Sequence, residues 1–164
     1  MHLEVIILSL MCIFGTTAIV LLIPKNRLRQ TLFALLVYQA LLWVSILFHV
    51  KFGLLSFPVR EFPKATDVLF TTAYFFYPLM YGLYIIFEPK VSFIVRLCYM
   101  SLWISGLTAI DYFIEKYSDL IVYENYTWYW SWLNFFILFL LSSLIYKWFF
   151  KDTLLFQADR RTAK

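Results

Sequence analysis

A row of mostly hydroxyl-bearing side chains recurs at helical spacing in the middle of this 164-residue chain. The row, which we call the tyrosine stripe, steps by three and four residues and consists of Asp67, Phe70, Tyr74, Tyr77, Tyr81, Tyr84 and Glu88. On a helix this spacing places all members along one face. Phenol groups bind ligands, water or polar side chains, whereas a lipid-facing surface has no need of them. The stripe therefore predicts a face turned toward protein, water or a ligand.

A second set of polar side chains is expected to gather at one end of the molecule. Its members come from different segments and are His49, Arg60, Asp67, Tyr74, Asp111, Glu115 and Asn134. Ionisable residues near apolar segments tend to face a cavity and to be paired. Arg60 is a candidate partner for Asp111 or Asp67, because guanidinium and carboxylate groups match geometrically.

Two interpretations of this second set remain open. Together with Tyr77 and Tyr81 of the stripe, it forms a vestibule for a small molecule or an ion. Alternatively, it forms a polar clamp that holds a loop onto the rest of the protein. The clamp is the favoured interpretation.

The sequence carries none of the common catalytic signatures. HExxH, GxSxG, P-loop and glycine-rich nucleotide-binding motifs are all missing. With 4 glycines and 2 histidines, a phosphate cradle and a metal-dependent enzyme are both disfavoured. The 2 cysteines fall inside apolar segments and form no CxxC pair, so disulfides and structural zinc are not expected. We expect no cofactor, no metal and no catalytic residue.

The composition points to a membrane protein. Hydrophobic residues make up 63% of the chain and charged residues 15%, and the mean hydropathy is +0.77. A soluble domain is usually about 45–50% apolar and about 25% charged. We predict an all-α integral membrane fold that forms a single domain. Its five transmembrane helices are expected at about 3–23, 31–50, 67–87, 91–113 and 128–149, because each block approaches the roughly 20 apolar residues that cross a bilayer.

Lysine and arginine are distributed unequally between the two sides of this bundle. The first connection, residues 24–30, carries three of them, and a basic tail at 150–164 follows the last helix. Because basic loops stay on the cytoplasmic side, the predicted orientation is N-terminus outside and C-terminus inside. The positive cluster follows the first apolar block, which favours a retained helix over a cleaved signal peptide. The net charge of +4 reflects this asymmetry and contact with lipid, so nucleic acid is not an expected partner.

A double Phe-Pro loop, FPVREFP at residues 57–63, precedes the tyrosine stripe. Each proline favours extended backbone before it and donates no hydrogen bond, so the loop is expected to cover the outer rim. Thr66 or Asp67 is the predicted N-cap of the third helix. Pro78 predicts a kink in that helix, and EPK at 88–90 predicts a tight turn into the fourth.

The same region carries a resemblance to a known family. The run FPVREFPKATD, the Tyr77-Pro78 pair and the later EPK turn resemble a family of small uncharacterised multi-pass membrane proteins from endospore-forming Bacillota. The resemblance covers most of the chain, but its diagnostic residues lie at 57–90. It implies the cytoplasmic membrane of a sporulating bacterium. No activity and no site residue is implied by it.

Two hypotheses about function follow from the residues. The first is a non-enzymatic membrane protein that associates through the tyrosine stripe with another membrane protein or with its own copies. The second is a binder or permease for a small molecule or ion, with a vestibule that faces outward. The lipid bilayer is a partner under both hypotheses.

Overall fold

The computed structural model describes residues 2–89 and 92–162, with side chains described for 3–89 and 92–150. In these ranges the elements are α1 (His2–Leu22), α2 (Leu28–Lys51), β1 (Leu55–Ser56), α3 (Tyr77–Phe87), α4 (Phe93–Tyr117), β2 (Val122–Tyr123) and α5 (Trp128–Thr162). A 3-10 turn at Lys25–Arg27 precedes α2, and a π-helical turn at Thr71–Phe76 precedes α3. The predicted helical fold with five helices is thereby confirmed.

Four of the five helices, α1, α2, α4 and α5, are long and apolar enough to cross a membrane. The predicted segments match the observed helices apart from their ends. The largest difference is in α5, which continues to Thr162 instead of ending near 149. Lys90 of the predicted EPK turn lies outside the described residues, as do the side chains of the predicted basic tail from residue 151 onward.

The third segment differs from the other four because protein surrounds it. Eight consecutive residues, Tyr77–Tyr84, are buried, which is the pattern of a helix enclosed on all sides. α2 and α4 contact it, and α1 packs against the π-helical turn that precedes it. In α1, α2, α4 and α5, by contrast, large apolar side chains are exposed along much of the length. α3 is therefore the core of the bundle.

A π-helical turn lies directly before Pro78, the residue at which the sequence predicts a kink. The Tyr77 N–H donates to the Thr72 carbonyl, five residues back. Pro78 has no N–H to donate, and it follows the π-helical turn directly as the second residue of α3. The helix thus changes type at the proline, and π-turns of this kind are frequent at functional sites.

The double Phe-Pro loop caps the third segment. Both carboxylate oxygens of Glu61 accept backbone N–H groups, from Phe70 at 3.0 Å and from Thr71 at 2.9 Å. The predicted cap at Thr66 or Asp67 is wrong. The helical segment that contains the π-helical turn and α3 begins only at Phe70. A carboxylate at this position satisfies free donors and complements the positive end of the helix dipole. Glu61 therefore helps to fasten the loop to the bundle.

A short β-ribbon closes the same end of the bundle. β1 pairs antiparallel with β2, and Leu55 lies opposite Tyr123 while Ser56 lies opposite Val122. Strands of two residues carry no alternation that a sequence pattern could reveal. The ribbon joins the loop after α2 to the loop after α4, and it holds Tyr123 close enough to donate to Asp111 of α4.

Candidate functional site

Asp111 of α4 is a carboxylate buried inside the bundle, with only 6% of its surface exposed. Three hydroxyl groups donate to it. Tyr77 of α3 donates to Oδ1, Ser131 of α5 donates to Oδ2 at 2.8 Å, and Tyr123 of β2 donates to Oδ2 at 3.3 Å. Burying a carboxylate is costly unless hydrogen bonds replace its hydration. We call Asp111 and its three donors the Asp111 node, which ties three elements to α4.

The Asp111 node holds its carboxylate with hydroxyl groups alone. Within the side chains that the structure describes, no lysine or arginine makes a salt bridge to Asp111. Burial raises the pKa of the Tyr123 phenol well above its ordinary value, and the Asp111 carboxylate raises it further. Tyr123 therefore stays protonated and remains a donor at neutral pH. The node is suited to accept hydrogen bonds or a proton.

Arg60 pairs with Asp67 and does not reach Asp111. Its Nη1 lies 2.6 Å from Oδ1 of Asp67, whose side chain is 73% exposed. An ion pair this exposed contributes about 0–1 kcal/mol to stability. Of the two partners predicted for Arg60, the structure selects Asp67. The pair ties the rim loop to itself, whereas the clamp onto the bundle is made by Glu61.

His49 and Asn134, two further predicted site residues, meet through Ser45. The Ser45 hydroxyl donates to Oδ1 of Asn134 at 2.7 Å and so links α2 with α5. His49 Nδ1 lies 2.7 Å from the Ser45 carbonyl oxygen, one turn back on the same helix. The His49 ring meets Tyr126 edge-on, with 5.1 Å between ring centroids. These residues therefore form a helix–helix contact.

A small cavity lies beside the Asp111 node, with a volume of about 30 Å³. Tyr77, Asp111 and Asn134 contribute to its wall, together with Tyr126. The Tyr126 hydroxyl is buried and has no hydrogen-bond partner in the described part of the chain. Roughly 10–15 Å³ of such volume holds one water molecule. The cavity thus fits one or two waters between Tyr126 and Asp111, and it is too small for an organic ligand.

Three other predicted site residues lie outside this cavity. Tyr81 reaches Ser143 of α5, with 3.2 Å between the two hydroxyl oxygens. Tyr74 is half-buried and stacks on Phe70, with ring centroids 5.0 Å apart. Glu115 is half-buried near the end of α4, and its side chain makes no hydrogen bond or ion pair with another described residue. The residues predicted to form one vestibule therefore take part in separate contacts.

An aromatic cluster fills the bundle further along α3. Its members are Tyr38 of α2, Tyr81 and Tyr84 of α3 and Phe139 of α5, and all four are almost fully buried. Tyr38 stacks on Tyr81 with centroids 4.8 Å apart, and Phe139 meets both rings edge-on at 5.2 and 5.1 Å. Stacked and edge-on pairs match the charge distribution of aromatic rings. The middle of the tyrosine stripe thus faces protein.

A second polar cluster lies at the opposite end of α3 from the Asp111 node. Nε and Nη2 of Arg96 donate to Oε1 of Glu88 at 3.1 and 3.0 Å, and Nζ of Lys147 lies 3.4 Å from the same oxygen. Nη1 of Arg27 donates to the Ile86 carbonyl oxygen at 3.2 Å. The sequence placed Glu88 at the end of the tyrosine stripe, and the structure makes it the acceptor of an ion-pair network between helices.

Sequence reasoning missed the donors that lie outside the tyrosine stripe. Ser131 falls within WYWSW, which indicates a tryptophan belt at a membrane interface and no more. Tyr123 falls in a loop, and its position depends on a ribbon that has no sequence signal. One feature of the sequence could have indicated Ser131 as a donor: it is the single small polar residue among four aromatic ones at the start of α5.

Comparison of the chain with protein-family models, with curated proteins and with solved structures finds no match. A function must therefore be inferred from three features of the molecule. These are the Asp111 node, the aromatic cluster and the exposed surface of the long helices.

Proposed function

We propose that this chain is a non-enzymatic multi-pass membrane protein that acts by helix–helix association in the bilayer. Its partner is a second copy of itself or another membrane protein. The distribution of side chains supports a bilayer environment: apolar side chains lie on the outside of the long helices, and hydroxyl groups and Asp111 lie inside. Exposed apolar surface of this extent is far beyond the few hundred Å² that soluble monomers tolerate.

The proposed topology has five crossings, with the N-terminus outside and the C-terminus inside. The π-helical turn and α3 together comprise residues 71–87, which span roughly 25 Å at about 1.5 Å per residue. This length is close to the roughly 30 Å of a bilayer core. Arg27, Arg96 and Lys147 converge at one end, which we take as cytoplasmic because basic residues are retained on that side. The resemblance of residues 57–90 favours the cytoplasmic membrane of an endospore-forming bacterium.

The proposed role in association is supported mainly by the closed interior of the bundle between the Asp111 node and the aromatic cluster. The aromatic cluster fills the middle of the bundle, and the cavity at the Asp111 node measures about 30 Å³. A permease needs a polar path or a site of roughly 300 Å³ or more. The alternative, a binder or permease with an outward-facing vestibule, therefore has less support. At the end of the bundle that holds the Asp111 node, the protein therefore offers a partner its outer surface.

α4 carries a surface that suits close approach of another helix. Gly106 is exposed, and a Cβ atom added there meets nothing within 4 Å. At Gly82, by contrast, a Cβ atom would lie 3.1 Å from Thr31 Cγ2, so the chain itself needs that glycine. A glycine inside a helix costs about 1 kcal/mol relative to alanine. Gly106 gains nothing within its own chain, and its exposed neighbours Ser105 and Ala109 are the small residues typical of membrane helix contacts.

Gly106→Leu is expected to abolish association and to leave the fold intact. Leucine has open space at this position and raises helix propensity by up to about 1 kcal/mol, so the stability of the monomer should not fall. A partner helix that packs against the glycine would meet the new side chain. We expect the fraction of associated protein to fall at least tenfold. Stepwise photobleaching of labelled protein in liposomes measures self-association, and co-purification from native membranes measures a partner.

Ser9→Leu is the matched control, because Ser9 is exposed on α1 and the substitution again places leucine at a small lipid-facing position. It should leave association unchanged. Equal association of the wild-type protein and Gly106→Leu would contradict the proposed surface. A wild-type protein that is monomeric in liposomes and co-purifies with no other protein would contradict the proposed function.

A further inference from the structure

A cavity of about 680 Å³ opens at the end of the bundle opposite the Asp111 node. The polar residues of its wall include Asn26, Arg27, Gln30, Glu88, Arg96 and Tyr146. Its volume lies within the roughly 300–1,000 Å³ of small-molecule sites. The cavity is formed where the start of α2, the ends of the α3–α4 connection and α5 meet.

The charge around this cavity is positive. Arg27 and Arg96 line it, and Lys147 joins Arg96 at the single carboxylate of Glu88. Among the side chains that the structure describes here, three positive groups and one negative group leave a local charge of +2. Glu88 therefore fixes Arg96 in place without neutralising the site. A ligand that neutralises this remaining positive charge must be an anion.

Hydrogen-bond donors remain available on the cavity wall. A guanidinium group has five N–H donors; Arg96 uses two groups on Glu88, and Arg27 uses one on the Ile86 carbonyl. The side-chain amides of Asn26 and Gln30 make no hydrogen bond to any other described residue. Two guanidinium groups and two amides from separate elements thus border one space.

We propose that this cavity binds a phosphate group, carried either by an anionic phospholipid headgroup or by a soluble phosphate compound. A phosphate presents several anionic oxygens and accepts paired bonds from guanidinium groups, so it engages Arg27 and Arg96 together. A single carboxylate pairs with only one guanidinium group, so either Arg27 or Arg96 would be left without a partner. Basic pockets between membrane helices on the cytoplasmic side are suited to anionic headgroups. This site is independent of association at Gly106, because the two surfaces lie on different parts of the molecule.

Surface charge alone also attracts anionic lipid. A comparison of Arg27 with Arg29 separates this non-specific attraction from binding at a specific site. Arg27 and Arg29 are both exposed, but only Arg27 is part of the cavity wall. Both residues contribute the same charge close to the same membrane surface. Non-specific attraction predicts equal losses when either is neutralised. A specific binding site predicts that ligand binding weakens only when Arg27 is neutralised.

The experiment compares purified wild-type protein, Arg27→Gln and Arg29→Gln in detergent. Native mass spectrometry measures binding of phosphatidylglycerol and phosphatidylcholine, and isothermal titration calorimetry measures binding of inorganic phosphate. We expect Arg27→Gln to weaken binding of the preferred phosphate probe about tenfold and Arg29→Gln to weaken it less than twofold. Preference for phosphatidylglycerol over phosphatidylcholine identifies a lipid source, and saturable binding of inorganic phosphate identifies a soluble source.

A second variant protects the test against misfolding of Arg27→Gln. Gln30→Phe places a large side chain in the cavity and leaves the charge of the protein unchanged, so it should also weaken binding about tenfold. The proposal is overturned if the wild-type protein binds neither probe, if both arginine variants lose binding equally, or if Gln30→Phe binds as the wild type does.

Discussion

Replacing Asp111 with alanine is expected to lower the free energy of unfolding by about 3 kcal/mol. The hydroxyl groups of Tyr77, Tyr123 and Ser131 lose their shared acceptor, and a hydrogen bond between membrane helices contributes about 1 kcal/mol. Tyr77 and Ser131 are buried, so that they are left without any partner, which adds to the cost. Titration with sodium dodecyl sulfate in mixed micelles, followed by circular dichroism, measures the free energy of unfolding.

Related variants separate the hydrogen bonds of Asp111 from its size. Asp111→Asn keeps the shape and one acceptor oxygen, and it should cost about 1 kcal/mol. Tyr77→Phe removes one of the three donors and should cost a similar amount. Glu115→Gln is the control on the same helix and should change stability by less than about 0.5 kcal/mol. If Asp111→Ala were no more damaging than Glu115→Gln, the Asp111 node would not hold the bundle together.

Phe139→Ala is expected to cost roughly 2–3 kcal/mol. The ring of Phe139 contacts Tyr38, Tyr81 and Tyr84 inside the aromatic cluster, and its removal leaves a void among three packed rings. In soluble cores such a change costs about 3–5 kcal/mol. The lower value applies in lipid, because an unpacked phenylalanine there still lies in an apolar medium and only the packing contribution is lost. The same detergent titration measures the effect.

Leu140→Ala is the matched control for this substitution. Leu140 follows Phe139 on α5 but is 40% exposed, and its side chain lies on the outer surface of the bundle. Its cost should be below about 0.5 kcal/mol. Equal losses for the two variants would mean that the aromatic cluster is not a packed core, and the argument that the interior is closed would then fail. Tyr81→Phe, which removes only the contact to Ser143, should cost about 0.6 kcal/mol.

The helices of this protein were predictable from local features of the sequence. Apolar blocks of span length located α1, α2, α4 and α5 to within a few residues, apart from the extension of α5 to Thr162. The spacing from Tyr77 to Tyr84 indicated a face that avoids lipid, and this face is buried in protein. The sequence did not indicate that α3 is enclosed on every side, because an enclosed helix and a lipid-facing helix are both apolar all round.

The contacts that form the candidate site were less predictable, because they depend on long-range pairing. Asp111 was recognised as unusual from its depth, but two of its three donors, Tyr123 and Ser131, come from a ribbon and a tryptophan belt. Glu61 caps a helix nine residues later in the chain, which no local capping pattern predicts. Arg60 had two carboxylates within plausible reach, and only the folded loop selects Asp67.

Cysteine accessibility in intact bacterial cells tests the five-crossing topology, on which the proposed function rests. In a background carrying Cys12→Ser and Cys98→Ser, single cysteines replace the exposed residues Lys25, Lys64 and Asn125. A membrane-impermeant maleimide should label positions 64 and 125 from outside, and position 25 only after permeabilisation. Labelling at 64 but not at 125 would mean that α3 does not cross the membrane. Labelling at 25 from outside would contradict the orientation, and with it the assignment of the cytoplasmic end.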